Sequence, residues 1–251
     1  MARATGESAH SRDAKGSSRA RKTAPREPQP KSAARKGRAQ DNLEPQQARS
    51  RESLRKLLKA AAEVLGQHGV EGTTIPRIAA HAGLTAGAIY RRFNDKDELL
   101  ETMILGILDR QDERLRTGLT PELAAQIPLP VFTEQIVHSL VVSYRANAGL
   151  MRAMRQFVRT RKDTEFWKKA CRSEVRSYER LVDLFLANAK SIRHPEPKVA
   201  VSLGLMMVIS TLQELVLDTT EMRVWKGLMP PDDRTLKDEL IRAFLGYLGA
   251  T

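Results

Sequence analysis

The chain of 251 residues contains a single cysteine, Cys171. No intramolecular disulfide can form and no cysteine-based zinc site can be built, so a reducing cytoplasm is the expected compartment. Aromatic residues make up only 5%, which argues against single-strand nucleic-acid binding by base stacking. The five histidines, His10, His68, His81, His138 and His194, include no pair four residues apart that could clamp a metal on one helix face. There is no glycine-rich phosphate loop and no set of nucleophile and base. No metal, no cofactor and no enzymatic activity are therefore expected. His68 and His81 read as helix-end residues, and His138, inside an apolar run, as a core or pocket histidine. Long apolar runs are also missing. The longest, Val199–Ile209, is interrupted by Ser202 and Gly204 and falls short of the roughly 18–20 residues a membrane span needs. The N-terminal segment has no continuous apolar stretch, so no secretory signal and no membrane partner are expected. No segment alternates with a period of two, which speaks against strands.

What is abundant is positive charge, and it is unevenly placed. The formal net charge is +12, and residues 1–51 hold 13 Lys and Arg against 5 Asp and Glu. That stretch alone carries +8, leaving +4 for the other 200 residues. A basic tail attracts polyanions, nucleic acid above all, in a salt-sensitive way; a tail that merely keeps the chain soluble accounts for the same charge. Residues 1–47 have almost no large apolar side chains, with Leu43 the exception beyond Met1, and contain Pro25, Pro28, Pro30 and Pro45. Such a segment cannot bury enough surface to offset the entropy of ordering and is expected to be disordered.

Order is expected from about Ser50. Leu54, Leu57, Leu58, Ala61, Val64 and Leu65 recur at helical spacing, and Gly69 is placed to end that helix. Thr74 can cap a short second helix with Pro76 in its first turn and Ile78, Ala79 and Ala82 inward. Gly83-Leu84-Thr85 reads as a tight turn, with Gly83 free to take a positive φ and Thr85 capping a third helix, Ala86–Phe93. Asp95 and Glu98 form a capping pair for a fourth helix over 95–110. Further helices are expected at about 131–147, 149–160, 164–190, 196–219 and 234–249. The expected fold is all-α, with about nine helices: a three-helix N-terminal helix-turn-helix domain and a larger helical ligand-binding and dimerisation domain. The expected division is a disordered basic tail at 1–47, a DNA-binding domain at 48–97 and the helical remainder at 98–251.

Residues 74–92 carry the strongest functional signal. Two short helices joined by a glycine turn present Thr85, Ala86, Gly87, Ala88, Tyr90, Arg91 and Arg92 on the second helix, and this is the pattern of a helix-turn-helix. Small residues at 86–88 permit close approach to DNA. Arg91 and Arg92 can reach phosphates or guanine edges, and the Tyr90 hydroxyl can meet a phosphate. Spacing alone leaves an ordinary helical hairpin with a basic face equally open.

The residue string from Thr74 to Leu100, TIPRIAAHAGLTAGAIYRRFNDKDELL, resembles the DNA-binding domain of tetracycline-repressor-type (TetR-family) regulators over roughly residues 50–100. Ile78-Ala79, Ala82-Gly83, Gly87, Ile89-Tyr90, Phe93, Lys96 and Leu99 fall at that family's spacing. The resemblance implies that Thr74, Tyr90 and Lys96 contact phosphate and that Thr85, Ala86 and Ala88 face bases or backbone. Arg92 stands where an aromatic or histidine is frequent, and Ala88 where a hydroxyl is common, so Arg91 and Arg92 are expected to carry more of the base preference. The resemblance further implies a homodimer on a palindromic double-stranded operator, released by a small-molecule effector, in the cytoplasm and associated with the nucleoid.

For the effector pocket, taken as apolar or amphipathic in preference, the candidates are Met103, Ile107, Phe132, Tyr144, Met151, Met154, Phe157, Phe166, Trp167 and Tyr178; the same residues also read as plain core. For the dimer interface the candidates are Val201, Gly204, Leu205, Val208, Leu212 and Leu215, a stripe that also suits the chain's own core. Lys168, Lys169 and Arg172 beside Cys171 would lower its thiol pKa. Two other classes stay open: a non-specific architectural DNA binder, and an enzyme with a helical core for which no residues volunteer.

Overall fold

In a computed structural model the backbone is described for residues 34–217 and 227–250, and the side chains for 47–217 and 227–250. Among the described residues there are ten α-helices and no strand. They are α1 (Ala34–Gly72), α2 (Ile75–Ala82), α3 (Ala86–Tyr90), α4 (Lys96–Gly118), α5 (Pro121–Ala124), α6 (Leu129–Ala146), α7 (Ala148–Arg159), α8 (Glu165–Leu186), α9 (Pro197–Leu212) and α10 (Asp233–Leu248). A 3-10 turn at Ala189–Ser191 follows α8, and a π-helical turn at Gln213–Leu217 extends α9. The chain divides into two units, Met1–Ala48 and Arg49–Thr251.

The beginning of α1 departs from expectation. Residues 1–33 lie outside the described residues, but helical backbone starts at Ala34, within the segment expected to be disordered. Residues 34–44 are mostly Ala, Arg, Lys, Gln, Glu and Leu, good helix formers, and lengthening an existing helix needs no new nucleus. Farther along, Gly69 breaks the helix with φ 66° and ψ −176°, a conformation that costs glycine little.

Two apolar cores organise the rest. The first joins Leu57, Ala61, Val64 and Leu65 of α1 to Ile78 and Ala79 of α2, Ile89 of α3, and Leu99, Leu100, Met103 and Ile104 of α4. Ala153 and Phe157 of α7 and Phe166 and Ala170 of α8 complete it. The expected boundary at 97/98 thus falls inside α4 and is bridged by packing. The second core gathers α6, the end of α8, α9 and α10 around Phe132, Phe185 and Phe244; Phe185 lies 4.7 Å from Phe132 and 5.1 Å from Phe244 between ring centroids.

Helix α4 is tied along its length. Asp97 and Glu101, near its start, face Arg161, whose guanidinium also covers the Phe157 ring at 3.3 Å. Near its end, Asp109 accepts from Ser173 at 2.9 Å and Asp112 from Arg180 at 2.7 Å, with Arg176 3.5 Å from Asp112. The Arg180 hydrogen bond, with help from Arg176, holds the Asp112 carboxyl below its usual range.

The stretch Pro197–Leu217, α9 with its π turn, is long and apolar enough to cross a membrane, which corrects the reading of Val199–Ile209 as too short. The interruptions at Ser202 and Gly204 break the run of letters without ending the helix. Ala200, Val201, Leu205, Val208 and Leu212 are buried against the chain's own second core, as in the central helix of a globular bundle.

Candidate nucleic-acid interface

The helix-turn-helix is built by local hydrogen bonds that its sequence dictates. The Thr74 hydroxyl accepts from the backbone N–H of Arg77 at 3.3 Å and opens α2, with Pro76 in the first turn. Gly83 closes α2 in the left-handed region at φ 66° and ψ 35°, which a β-carbon would disfavour. The Leu84 N–H returns to the Ala79 carbonyl at 2.9 Å. Thr85 then caps α3 by accepting from Ala88 N–H at 3.2 Å. Asp95 caps α4 through Glu98 N–H at 2.8 Å, and the Glu98 carboxylate accepts from Asn94 N–H at 2.7 Å, one residue before the position a capping box uses.

This frame turns one face of α3 to solvent. Ile89 and Phe93 go inward, while Thr85, Gly87, Tyr90, Arg91 and Arg92 are exposed and Ala86 and Ala88 half-buried. Tyr90 stays 56% exposed, so much of its ring is open to another molecule. A β-carbon added to Gly87 would meet nothing within 4 Å. The missing side chain there is not demanded by the chain's own packing, and it lets another molecule approach the backbone. Thr74 is exposed at the head of α2.

Two of the expected contacts are already engaged within the chain. Arg92 donates to the Ser50 carbonyl at 3.3 Å and to its hydroxyl at 3.2 Å. It therefore ties α3 to α1 in this conformation while its side chain stays exposed. Ser50 was not singled out by sequence, because a partner 42 residues away leaves no local pattern. Lys96, half-buried, donates to the Val70 carbonyl at 3.3 Å; an ammonium has two further donors for a phosphate. Arg91 has no side-chain partner among the described residues.

The ten pocket candidates are not brought together. Met103, Ile107, Met154, Phe157 and Phe166 belong to the first core, and Phe132, Tyr144, Met151 and Tyr178 to the second, while Trp167 is half-buried outside both. Helical spacing places an apolar residue inward without telling which core receives it. A cavity of about 270 Å³ exists instead beside Arg152, Arg155, Gln156, Arg159, Thr160 and Leu217, none of them on the expected list. Its signal was legible as arginines three and four residues apart.

The dimer candidates are corrected as well. Val201, Gly204, Leu205, Val208 and Leu212 are buried in the chain's own core and Leu215 is half-buried. Gly204 is needed there because Phe244 of α10 lies 2.6 Å from where its β-carbon would stand. The exposed apolar residues of α9 are Val199, Leu203, Met206 and Met207, one stripe on the opposite face. His138 is exposed on α6, because its turn of the helix faces away from the second core. Burial, and then the Glu174 carboxylate, push the Cys171 thiol up, opposite to what its basic sequence neighbours imply; their flexible ammonium and guanidinium groups sit in solvent.

The model of the bacterial regulatory proteins of the tetR family matches residues 57–103. The chain is 34% identical over 79 residues to the HTH-type transcriptional regulator TtgW of Pseudomonas putida, covering 32% of this chain and 56% of that protein. It is 27% identical over 121 residues to the HTH-type transcriptional repressor KstR2 of Mycolicibacterium smegmatis, covering 44% and 59%. The chain thus spans less than two thirds of the length of either relative. A bacterial regulatory protein in the tetR family from Rhodococcus RHA1 shares the fold at a TM-score of 0.56 and 16% identity, over 79% of this chain and 98% of that one. Residues 57–103 are thus similar to the helix-turn-helix of the tetR family of bacterial regulatory proteins, and the chain shares its fold with a solved regulator of that kind.

Proposed function

We propose that the chain is a sequence-specific transcriptional regulator, a repressor that leaves a palindromic operator when a small molecule with an apolar part binds. The observation that carries this reading is the solvent face of α3: Thr85, Gly87, Tyr90 and Arg91 exposed around a backbone that nothing among the described residues covers at Gly87. Thr74, Tyr90 and Lys96 are assigned to phosphates and Arg91 to base edges. Ala86 and Ala88 set how closely α3 enters the major groove. In this reading residues 48–97 read DNA, 98–251 bind effector and partner, and the tail at 1–47 adds salt-sensitive affinity in the cytoplasm.

Two α3 helices must stand about 34–36 Å apart to enter successive major grooves, so the regulator is assigned as a homodimer. Its contact surface is the exposed stripe Val199, Leu203, Met206 and Met207 of α9, which would otherwise leave large apolar side chains in water. A ligand that favours another spacing lowers DNA affinity by as much as it prefers that conformer. Helix α4, tied to Arg161 at one end and to Arg176 and Arg180 at the other, is the lever between the two functions.

The test is selection of genomic fragments by the purified chain, followed by affinity measurements on the selected duplex and on random DNA. A preference of a thousandfold or more for one palindrome supports specific regulation. Equal affinity for both duplexes refutes it and leaves an architectural binder. Within that assay, Arg91→Ala should weaken selected DNA more than random DNA; equal weakening assigns Arg91 to a phosphate.

A further inference from the structure

Helix α7 carries Arg152, Arg155 and Arg159 at spacings of three and four residues, hence on one face. A row of arginines over open solvent needs no explanation. This row instead borders a half-open cavity of about 270 Å³, completed by Gln156, Thr160 and Leu217 and walled mainly by apolar atoms. Glu214 approaches Arg155 at 3.7 Å, and the Arg152 guanidinium donates to the Leu217 carbonyl. Among the described residues these three cations thus face a single carboxylate. Leu217 ends the π-helical turn Gln213–Leu217, a geometry that recurs at functional sites.

We infer that this cavity holds the acid group of a compact amphipathic anion, a carboxylate or phosphate monoester on a short apolar body. The inference rests on the reading of the chain as a ligand-responsive regulator and deepens it. Guanidinium forks match carboxylate and phosphate oxygens, and an anion there relieves the mutual repulsion of the row. At about 30 Å³ per water-sized group, the volume accommodates roughly nine non-hydrogen atoms, close to the size of an eight-carbon acid, whose tail end can leave through the open side. The location couples such a ligand to DNA reading. The same helix presses Gly149 against the Gly66 carbonyl of α1 and buries Phe157 in the core to which α2 and α3 also contribute. An anion that takes Arg152 from Leu217, or Arg155 from Glu214, acts at once on α7 and on the end of α9.

The test uses the full chain and four probes: octanoate, octyl phosphate, octanamide and inorganic phosphate. Thermal melting and equilibrium titration are run on the wild type, Arg155→Gln and Arg159→Gln, beside affinity for a selected duplex. Octanoate or octyl phosphate should raise the melting temperature while octanamide does not, the stronger of the two identifying the acid. Either substitution should weaken that probe about tenfold or more, and Arg159→Gln should leave the unliganded melting temperature unchanged. Equal binding of octanamide overturns the anion site, as does inorganic phosphate binding as tightly as octyl phosphate. Unchanged affinity in both variants overturns its location. A wild type that binds the selected duplex but ignores every probe rejects this inference and keeps the regulator reading. One that binds the acids through the row but shows no specific DNA binding does the reverse.

Discussion

The contact between α1 and α7 offers a sharp perturbation. At Gly149 an ideal β-carbon would lie 2.2 Å from the Gly66 carbonyl oxygen, a backbone atom with no rotamer to escape into. Relieving Gly149→Ala to even 3.0 Å requires the two helices to part by about 0.8 Å. Overpacking of this kind costs about 1–3 kcal/mol. For a domain of this size each kcal/mol lowers the melting temperature by roughly 2–4 °C, so a fall of about 2–12 °C is expected in thermal unfolding followed by circular dichroism. Gly87→Ala is the matched control. Its β-carbon meets nothing, and alanine is the better helix former by roughly 0.5–1 kcal/mol, so the melting temperature should hold or rise slightly. Selected-DNA affinity should fall in both variants for different reasons: in the first because α7 displaces α1 beneath the reading helices, in the second because α3 meets the groove through an added methyl. A Gly149→Ala protein that melts with the wild type would refute the described helix contact.

Three further outcomes follow from other contacts. Ser50→Ala and Arg92→Ala should each lower stability by no more than about 1 kcal/mol, their hydrogen bonds being exposed, and a double-mutant cycle by chemical denaturation should show them non-additive; full additivity would refute the tie between α3 and α1. Leu203→Glu, or Met206→Glu, should turn a dimer into a folded monomer in analytical ultracentrifugation, whereas Leu205→Glu should unfold the chain, since Leu203 and Met206 are exposed and Leu205 is buried. The Asp112 carboxyl is held low in the folded state by Arg180, so its contribution is present above its unfolded pKa and lost as pH falls through the folded one. Melting curves across acidic pH should therefore show Asp112→Asn less stable than the wild type near neutrality and the two converging at the acid end.

What was legible in the sequence shares a physical basis. Capping residues, the Gly83 turn and helical periodicity act within a few positions, and each appears in place: Thr74, Thr85 and Asp95 cap their helices as expected. The elements after residue 128 were legible for the same reason, through Pro128, Asn147 and Pro195 as punctuation. The partners of α9 were not legible. Val199, Leu203, Met206 and Met207 form one apolar stripe and Val201, Leu205, Val208 and Leu212 another, so this helix is apolar nearly all round. Composition does not say which stripe meets α10, and only the Phe244 ring against Gly204 settles it. The division of the effector candidates between two cores was not legible either, since an inward residue belongs to whichever core its helix happens to border.

The position of α7 gives the proposed coupling a physical route through the packed cores. It contributes Ala153 and Phe157 to the core that fixes α2 and α3, and Met151 packs against the core that surrounds α9. Between these faces lies the arginine row, and just past its end Arg161 holds Asp97 and Glu101 at the start of α4. A packed core of this density does not deform continuously; it passes strain to its neighbours. A shift of α7 by a few tenths of an ångström therefore cannot be absorbed locally. It is passed to Gly66 on α1, to the first core through Phe157, and through Arg161 to Asp97 on α4. The first core joins these contacts to Ile89 of α3, so in the proposed reading the coupling runs through contiguous packing around α7 as well as through α4.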